Sequence, residues 1–205
     1  MTQIILLRHG LVYNPDKVIY GALPGFGLDQ AGLVEVDATA KHLATLPIAA
    51  IITSPLQRAR ETVERIQRQP ALAKLPVTTD ERLREWVFVS EGLTYPQLTE
   101  RYPELFEQYK TDPTKLPGVI DGKRYETFAE IEGRMGECID ELKSRFADQT
   151  ILLVSHGDPI IMALAHYLNQ PFWQTKESEY PRPAQTRTLI FDNDQVRAAE
   201  WPEIR

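Results

Sequence analysis

The chain has 205 residues, of which 42% are hydrophobic and 25% are charged, proportions that are typical of one globular domain. Its formal net charge of −6 argues against non-specific binding to nucleic acid or to an anionic membrane. Cys138 is the single cysteine, so no internal disulfide can form, and no signal-peptide or membrane-spanning pattern is present. These features predict a soluble, cytoplasmic protein.

Short apolar runs alternate with amphipathic stretches along most of the chain. The run at 4–7 is followed by Arg-His-Gly, and a later run at 151–155 is followed by His-Gly, a pattern that is typical of buried strands ending in a turn. In chain order the predicted elements are a strand at 4–7, a helix capped by Asp29 and ending near 46, a strand at 49–53, a helix capped by Ser54 with Pro55 at its first position and ending near 69, a strand at 77–79, a long helix at 122–146, a strand at 151–155, a helix capped by Asp158 with Pro159 at its first position and ending at 168, and a hairpin of 188–191 with 195–199. This alternation predicts a three-layer α/β/α sandwich with a mostly parallel central sheet.

Two proline-containing stretches, 86–123 and 170–187, interrupt this alternation. Because long loops in a compact domain are functional or mobile, we expect one domain over 1–205 in which 86–123 forms a small helical lid over the binding cleft. Four aromatic residues of the lid could line a substrate pocket but are expected to form its core: Trp86, Phe88, Tyr95 and Phe106. The stretch 170–187 could pack on its own domain or on a neighbouring molecule, which leaves a homodimer open.

A histidine follows each of the two apolar strands, His9 after the first and His156 after the later one. In an open α/β sheet, ligands bind at the carboxyl ends of the parallel strands, so both histidines should face one cleft. An unprotonated histidine nitrogen can attack phosphorus, and the planar fork of an arginine grips phosphate oxygens. Arg8 precedes His9, and Arg58 lies at the start of the second predicted helix. Glu85 is the candidate acid for the leaving oxygen, provided that its surroundings raise its pKa.

Four short motifs in a fixed order connect the chain to a known family. They are Arg-His-Gly at 8–10, Ser-Pro-Leu-Gln-Arg-Ala at 54–59, Leu-Arg-Glu at 83–85 and Ser-His-Gly at 155–157. From residue 8 to about 168, this set resembles the histidine phosphatase superfamily, also called phosphoglycerate mutase-like. The resemblance implies that His9 is the nucleophile and Glu85 the proton donor. Three further residues would hold the phosphate group: Arg8, Arg58 and His156. No metal and no organic cofactor is implied.

Further residues match the family less closely. Asn14 lies near the position of a phosphate-facing asparagine, but it comes one residue early and could simply form a turn with Pro15. Gly21 belongs to a stretch that is similar to the family's glycine loop, and is a weaker candidate for substrate binding. Glu91 begins a Glu-Gly-Leu-Thr piece that resembles the start of the family's cap, and it is the rival of Glu85 as proton donor.

Two departures from the family pattern bear on the activity. Leu11 and Val12 replace the polar pair that commonly follows Arg-His-Gly, and the lid lacks the paired arginines expected of a cofactor-dependent phosphoglycerate mutase. We therefore expect a phosphatase that hydrolyses a small phosphorylated metabolite through a phosphohistidine on His9. The alternatives are a mutase-type phosphoryl transfer, a protein phosphatase acting on phosphohistidine or phosphotyrosine, and a non-catalytic phosphate-binding protein.

Overall fold

The computed structural model of the chain describes residues 1–169, 180–192 and 195–199. In chain order its elements are β1 (Thr2–Arg8), α1 (Gln30–Leu43), β2 (Ile48–Thr53), α2 (Gln57–Ile66), β3 (Val77–Thr79), α3 (Tyr95–Arg101), α4 (Pro103–Thr111), β4 (Val119–Ile120), β5 (Lys123–Arg124), α5 (Phe128–Arg145), β6 (Thr150–Ser155), α6 (Gly157–Leu168), β7 (Thr186–Asp192) and β8 (Gln195–Ala199). Single turns of 3₁₀-helix lie at Glu81–Leu83 and Pro113–Lys115. Within the described ranges, no helix combines the length and the apolar character that crossing a membrane requires.

Six strands form the central sheet, in the order β3-β2-β6-β1-β7-β8. The strands β3, β2, β6 and β1 run parallel, and β7 and β8 pair antiparallel at one side. In the register of β1 with β6, Arg8 lies opposite Ser155. The residues that follow these two strands, His9 and His156, are therefore neighbours at the carboxyl edge of the sheet, as the sequence predicted.

Helices cover both faces of this sheet, which confirms the predicted three-layer α/β fold. On one face, alternate strand residues such as Leu6 and Leu153 pack against α5 and α6. On the other face, Leu7 and Val154 pack against α1 and α2. This alternation is what a strand buried on both sides requires, because successive side chains point to opposite faces.

Most of the predicted elements are confirmed, but some of their ends differ. Asp29 caps α1 as expected, since its carboxylate accepts a hydrogen bond from the Gly32 N–H at 2.6 Å. The helix α5 begins at Phe128, not at 122, because Asp121 and Gly122 both have positive φ and form the turn between β4 and β5. Thr127 is the true N-cap of α5 and forms a capping box with Glu130.

Two capping predictions are wrong, and both side chains have partners distant in sequence instead. The N-cap of α2 is Leu56, two residues beyond Ser54, and the Ser54 hydroxyl contacts His156. The helix α6 begins at Gly157, so Asp158 lies inside its first turn, and its carboxylate accepts a hydrogen bond from Tyr180 at 3.1 Å.

The stretch 86–123 contains α3, α4 and the small β4–β5 hairpin. Trp86 and Phe88 belong to the main hydrophobic core, whereas Tyr95 is 61% exposed. The division of the chain into one domain with this stretch as a lid stays a prediction. Of the other irregular stretch, residues 170–179 lie outside the described part of the chain.

Candidate active site

The two predicted histidines lie side by side at the carboxyl edge of the sheet. The ring centroids of His9 and His156 are 5.1 Å apart, and each side chain is almost completely buried. His9 directly follows β1, and His156 lies between β6 and α6. The parallel pairing of β1 with β6 is therefore the structural reason why two residues far apart in sequence share one site.

The hydrogen bonds of His9 define its tautomer. Its Nδ1 lies 2.8 Å from the Gly10 carbonyl oxygen, which can only accept, so Nδ1 carries the ring proton. Its Nε2 accepts a hydrogen bond from Nε of Arg58 at 3.1 Å. Burial and the positive charges of Arg58 and Arg8 hold the pKa of His9 well below its usual range. His9 is consequently a neutral imidazole whose unprotonated nitrogen faces a guanidinium group.

Arg58 is held in place by the loop and the helix around it. It lies in the first turn of α2, and its Nη2 donates to the Gly21 carbonyl oxygen at 2.5 Å. The Tyr20 ring centroid lies 4.8 Å from its guanidinium carbon. Thr62, one turn further along α2, donates to the Arg58 carbonyl at 2.7 Å and accepts from the Gly10 N–H at 3.1 Å. Thr62 thereby connects α2 to the turn after His9. No local sequence pattern predicts this contact.

Arg8 is the second cation of the site. Its Nη1 donates to the Pro181 carbonyl oxygen at 2.8 Å, and its guanidinium carbon lies 5.4 Å from the Tyr180 ring centroid. Its buried Nε has no hydrogen-bond partner within the described ranges. A buried donor without a partner is costly, so this N–H is suited to an anion bound in the cleft.

His156 is bonded on one side only. Its Nε2 lies 2.7 Å from the Ser54 hydroxyl oxygen, whereas no described residue bonds its buried Nδ1. Burial and the nearby positive charges, Arg58 first among them, hold the pKa of His156 well below its usual range. Ser54 accepts from the Leu56 N–H at 3.3 Å, so its own hydroxyl proton can go to Nε2. The ring proton of His156 then lies on Nδ1, which makes that nitrogen a free donor.

Glu85 is an acidic residue that lines the same cleft as Arg8. Burial, followed by the negative charge of Asp158, raises the pKa of Glu85 to about 7, although Arg58 and Arg8 act in the other direction. Its Oε1 accepts from the Trp86 N–H at 2.9 Å. A carboxyl group with this pKa can hold a proton near neutral pH and release it during a reaction.

Three further candidates, Asn14, Gly21 and Glu91, line the same cavity. The side chains of Asn14 and Glu91 hydrogen-bond backbone groups of nearby loops. The Glu91 carboxylate accepts from the Ala22 N–H at 2.6 Å and lies against Gly21, whose φ of +41° suits glycine. Glu91 therefore supports the loop that holds Arg58. The Asn14 amide bonds both backbone groups of Val18, at 2.8 and 3.2 Å, and closes a local turn. Its phosphate contact stays a prediction, as does the choice between Glu85 and Glu91.

The cavity beside these residues has a volume of about 490 Å³. Arg8, Glu85 and Asp158 line it, whereas the buried side chains of His9, Arg58 and His156 are not part of its lining. Tyr20 also lines it, and its ring centroid lies 6.5 Å from that of His9. Because Nε2 of His9 accepts a hydrogen bond from Arg58, a substrate that reaches this nitrogen must displace that hydrogen bond. No cluster of three or more potential metal ligands occurs among the residues that the structure describes.

Comparisons with known proteins extend over nearly the whole chain. A family model described as histidine phosphatase superfamily (branch 1) matches residues 4–204. An uncharacterised protein of Mycobacterium tuberculosis is 32% identical over 197 residues, which are 95% of this chain and 93% of that protein. The structure of Bacillus stearothermophilus YhfR has a TM-score of 0.86 and 25% identity, covering 97% of this chain and 96% of its own. A mycobacterial glucosyl-3-phosphoglycerate phosphatase in complex with VO3 has a TM-score of 0.83 and 25% identity, covering 97% and 98% of the two chains.

Proposed function

Because this chain belongs to the histidine phosphatase superfamily, as its four motifs predicted, we propose that it hydrolyses phosphomonoesters through a phosphohistidine on His9. The observation that carries the proposal is the state of the His9 ring. The Gly10 carbonyl keeps the proton on Nδ1, and burial together with the charges of the two arginines keeps Nε2 unprotonated, so the nucleophilic nitrogen has its lone pair at neutral pH.

In the first step, Nε2 of His9 attacks phosphorus and the ester P–O bond breaks. The Nε–H of Arg58 exchanges its hydrogen bond to His9 for one to a phosphate oxygen. The N–H donors of Arg8 and His156 that bond no described residue bind further oxygens. Phosphoryl transfer spreads negative charge over these oxygens, so fixed cationic donors stabilise the transition state. Glu85 gives its proton to the leaving alcohol oxygen.

In the second step, water attacks the phosphohistidine, and phosphate leaves as the P–N bond breaks. Glu85, now ionised, takes a proton from that water and returns to its starting state. Neither step uses a metal ion or an organic cofactor. A small phosphorylated metabolite as the substrate and a cytoplasmic location belong to the same proposal.

The test measures phosphate release from p-nitrophenyl phosphate by the wild type, by His9→Ala and by His166→Ala. His166 is a matched control because it is a half-exposed histidine on α6 that bonds Glu132 away from the cleft. We expect His9→Ala to lose at least about 10³-fold in kcat, by analogy with the removal of other catalytic nucleophiles, and His166→Ala to keep wild-type activity. Acid-stable and acid-labile phosphoprotein should be separated after a rapid quench, since the wild type and His166→Ala should form the acid-labile species and His9→Ala should not. Full activity of His9→Ala would refute the proposal.

The mutase alternative is tested with 3-phosphoglycerate, because p-nitrophenyl phosphate has no second hydroxyl group that could accept the phosphoryl group. A hydrolase releases one phosphate for each ester consumed, whereas a mutase returns the group to another oxygen and releases little. Phosphate release equal to ester consumption is the expected result.

A further inference from the structure

The cavity that Arg8 and Glu85 line is larger than a phosphate group. Its volume of about 490 Å³ lies within the range of about 300–1,000 Å³ that holds a whole small-molecule ligand. It is lined by α3 and α4 as well as by Arg8 and Glu85. The organic part of a bound ester must therefore lie against the side chains that these two helices and the segment after Glu85 contribute.

Those side chains are mainly apolar and aromatic. Trp86 stacks on Phe88 with ring centroids 4.2 Å apart, and its indole N–H is already used by the Glu126 carbonyl at 2.8 Å. Leu98 and Leu105 line the cavity from α3 and α4, and Phe106 adds a half-buried ring. This wall offers its substrate dispersion contacts and burial of apolar area.

The charges of the lining are unfavourable for a second anionic group. Apart from Arg8, which the phosphate engages, Lys17 is the single cation in the described lining, and its side chain is exposed to solvent. Three carboxyl groups line the same cavity: Glu85, Glu91 and Asp158. Asp158 accepts a hydrogen bond from the Tyr180 hydroxyl and lines the cavity together with Glu85. Glu85 is protonated before the reaction, but an additional carboxylate or phosphate on the substrate would be taken from water into repulsion with the carboxylates of Glu91 and Asp158.

We infer that the preferred substrate is a monoester whose alcohol part is bulky, apolar and free of a second anionic group. This inference rests on the proposed phosphatase function and deepens it by naming the substrate class. Phosphoglycerate-like esters, which carry a carboxylate next to the phosphate, are disfavoured.

The test compares 2-phenylethyl phosphate with 3-phosphoglycerate, because both release an alkyl alcohol and so differ little in leaving-group reactivity. We expect the wild-type kcat/KM to be about 100-fold higher for 2-phenylethyl phosphate, the scale of discrimination that an apolar pocket provides. Phe106→Ala should lower kcat/KM for 2-phenylethyl phosphate about tenfold, a loss of about 1.4 kcal/mol, and leave 3-phosphoglycerate unchanged. Glu107→Ala, a neighbour on α4 that is exposed and does not line the cavity, should change neither value.

Asp158→Asn provides an independent arm. Removing this negative charge should lower the ratio of the two kcat/KM values, because the 3-phosphoglycerate value rises relative to the other. A wild-type ratio near one, or a ratio that neither Phe106→Ala nor Asp158→Asn changes, would overturn the inference. If the turnover of p-nitrophenyl phosphate still depends on His9 in that case, the proposed phosphatase function stands and the inferred substrate class is wrong. If no ester is hydrolysed at all, both are refuted.

Discussion

Replacing Glu85 with glutamine should change how the stability of the protein depends on pH. The ordinary pKa of a glutamate is 4.5, and burial together with the charge of Asp158 raises that of Glu85 to about 7 in the folded chain. Glutamine has nearly the shape of a protonated glutamate, and its carbonyl oxygen can still accept the hydrogen bond from the Trp86 N–H. The variant therefore removes the titration and retains the packing.

The sign follows from the raised pKa. Below pH 4.5 the carboxyl group is protonated in both the folded and the unfolded chain, so wild type and variant respond alike. Between 4.5 and about 7 the unfolded chain releases the proton and the folded chain retains it, so wild-type stability falls relative to Glu85→Gln. Above about 7 the difference is constant. The gap between 4.5 and about 7, at about 1.36 kcal/mol for each pKa unit, gives about 3 kcal/mol as an upper limit.

Urea unfolding at several pH values measures this difference directly. We expect the stability advantage of Glu85→Gln to grow from about 1 kcal/mol at pH 5 to about 3 kcal/mol at pH 8.5. Glu107→Gln is the matched control, because it removes a carboxyl group that is exposed on α4. A difference between Glu85→Gln and wild type that does not change with pH would show that Glu85 ionises at its ordinary pKa, and the proton-donor argument would lose its basis.

Three further predictions concern the same site. The kcat/KM for p-nitrophenyl phosphate should fall above about pH 7, where Glu85 ionises. It should not fall between pH 7 and pH 6 through protonation of His9, because the pKa of His9 is lowered. A maximum of kcat/KM at alkaline pH would contradict this prediction. Ser54→Ala should lower kcat about tenfold with little change in KM, because His156 loses the hydrogen bond that orients its ring. Ser54→Thr, which keeps a hydroxyl group, should restore part of kcat. Gly157→Ala should destabilise the fold by about 1–3 kcal/mol in urea unfolding, because its Cβ would overlap the Tyr180 hydroxyl, and a cost that persists in a Tyr180→Ala background would refute that explanation.

The sequence predicted the position of the site better than the contacts within it. Apolar runs are local signals, and parallel pairing brings the ends of two such strands together, so the proximity of His9 and His156 followed from the strand order. The start of α5 was placed too early, at 122, because the helical pattern has no marker for the hairpin turn at Asp121 and Gly122.

Ser54 and Asp158 show the physical limit of such predictions. Each precedes a proline near a helix start, which is the usual pattern of an N-cap, but neither is the N-cap, and each bonds a residue distant in sequence. These partners are His156, which is 102 positions from Ser54, and Tyr180, which is 22 positions from Asp158. A local pattern cannot weigh a cap against a tertiary hydrogen bond, because the second partner becomes visible only when the fold is known.

The opposite pKa changes of the nucleophile and the acid have one structural origin. His9 is buried and Glu85 is partly buried, and removal from water disfavours whichever form is charged: the protonated form of His9 and the ionised form of Glu85. The two arginines reinforce the effect on His9 and oppose it on Glu85, and Asp158 supplies the negative charge that maintains the raised pKa of Glu85. A neutral histidine beside a protonated glutamate is the combination that the first step of phosphomonoester cleavage requires. Asp158 therefore links the two proposals, since the charge that acts with burial to keep Glu85 protonated is also one that repels a second anion from the cavity.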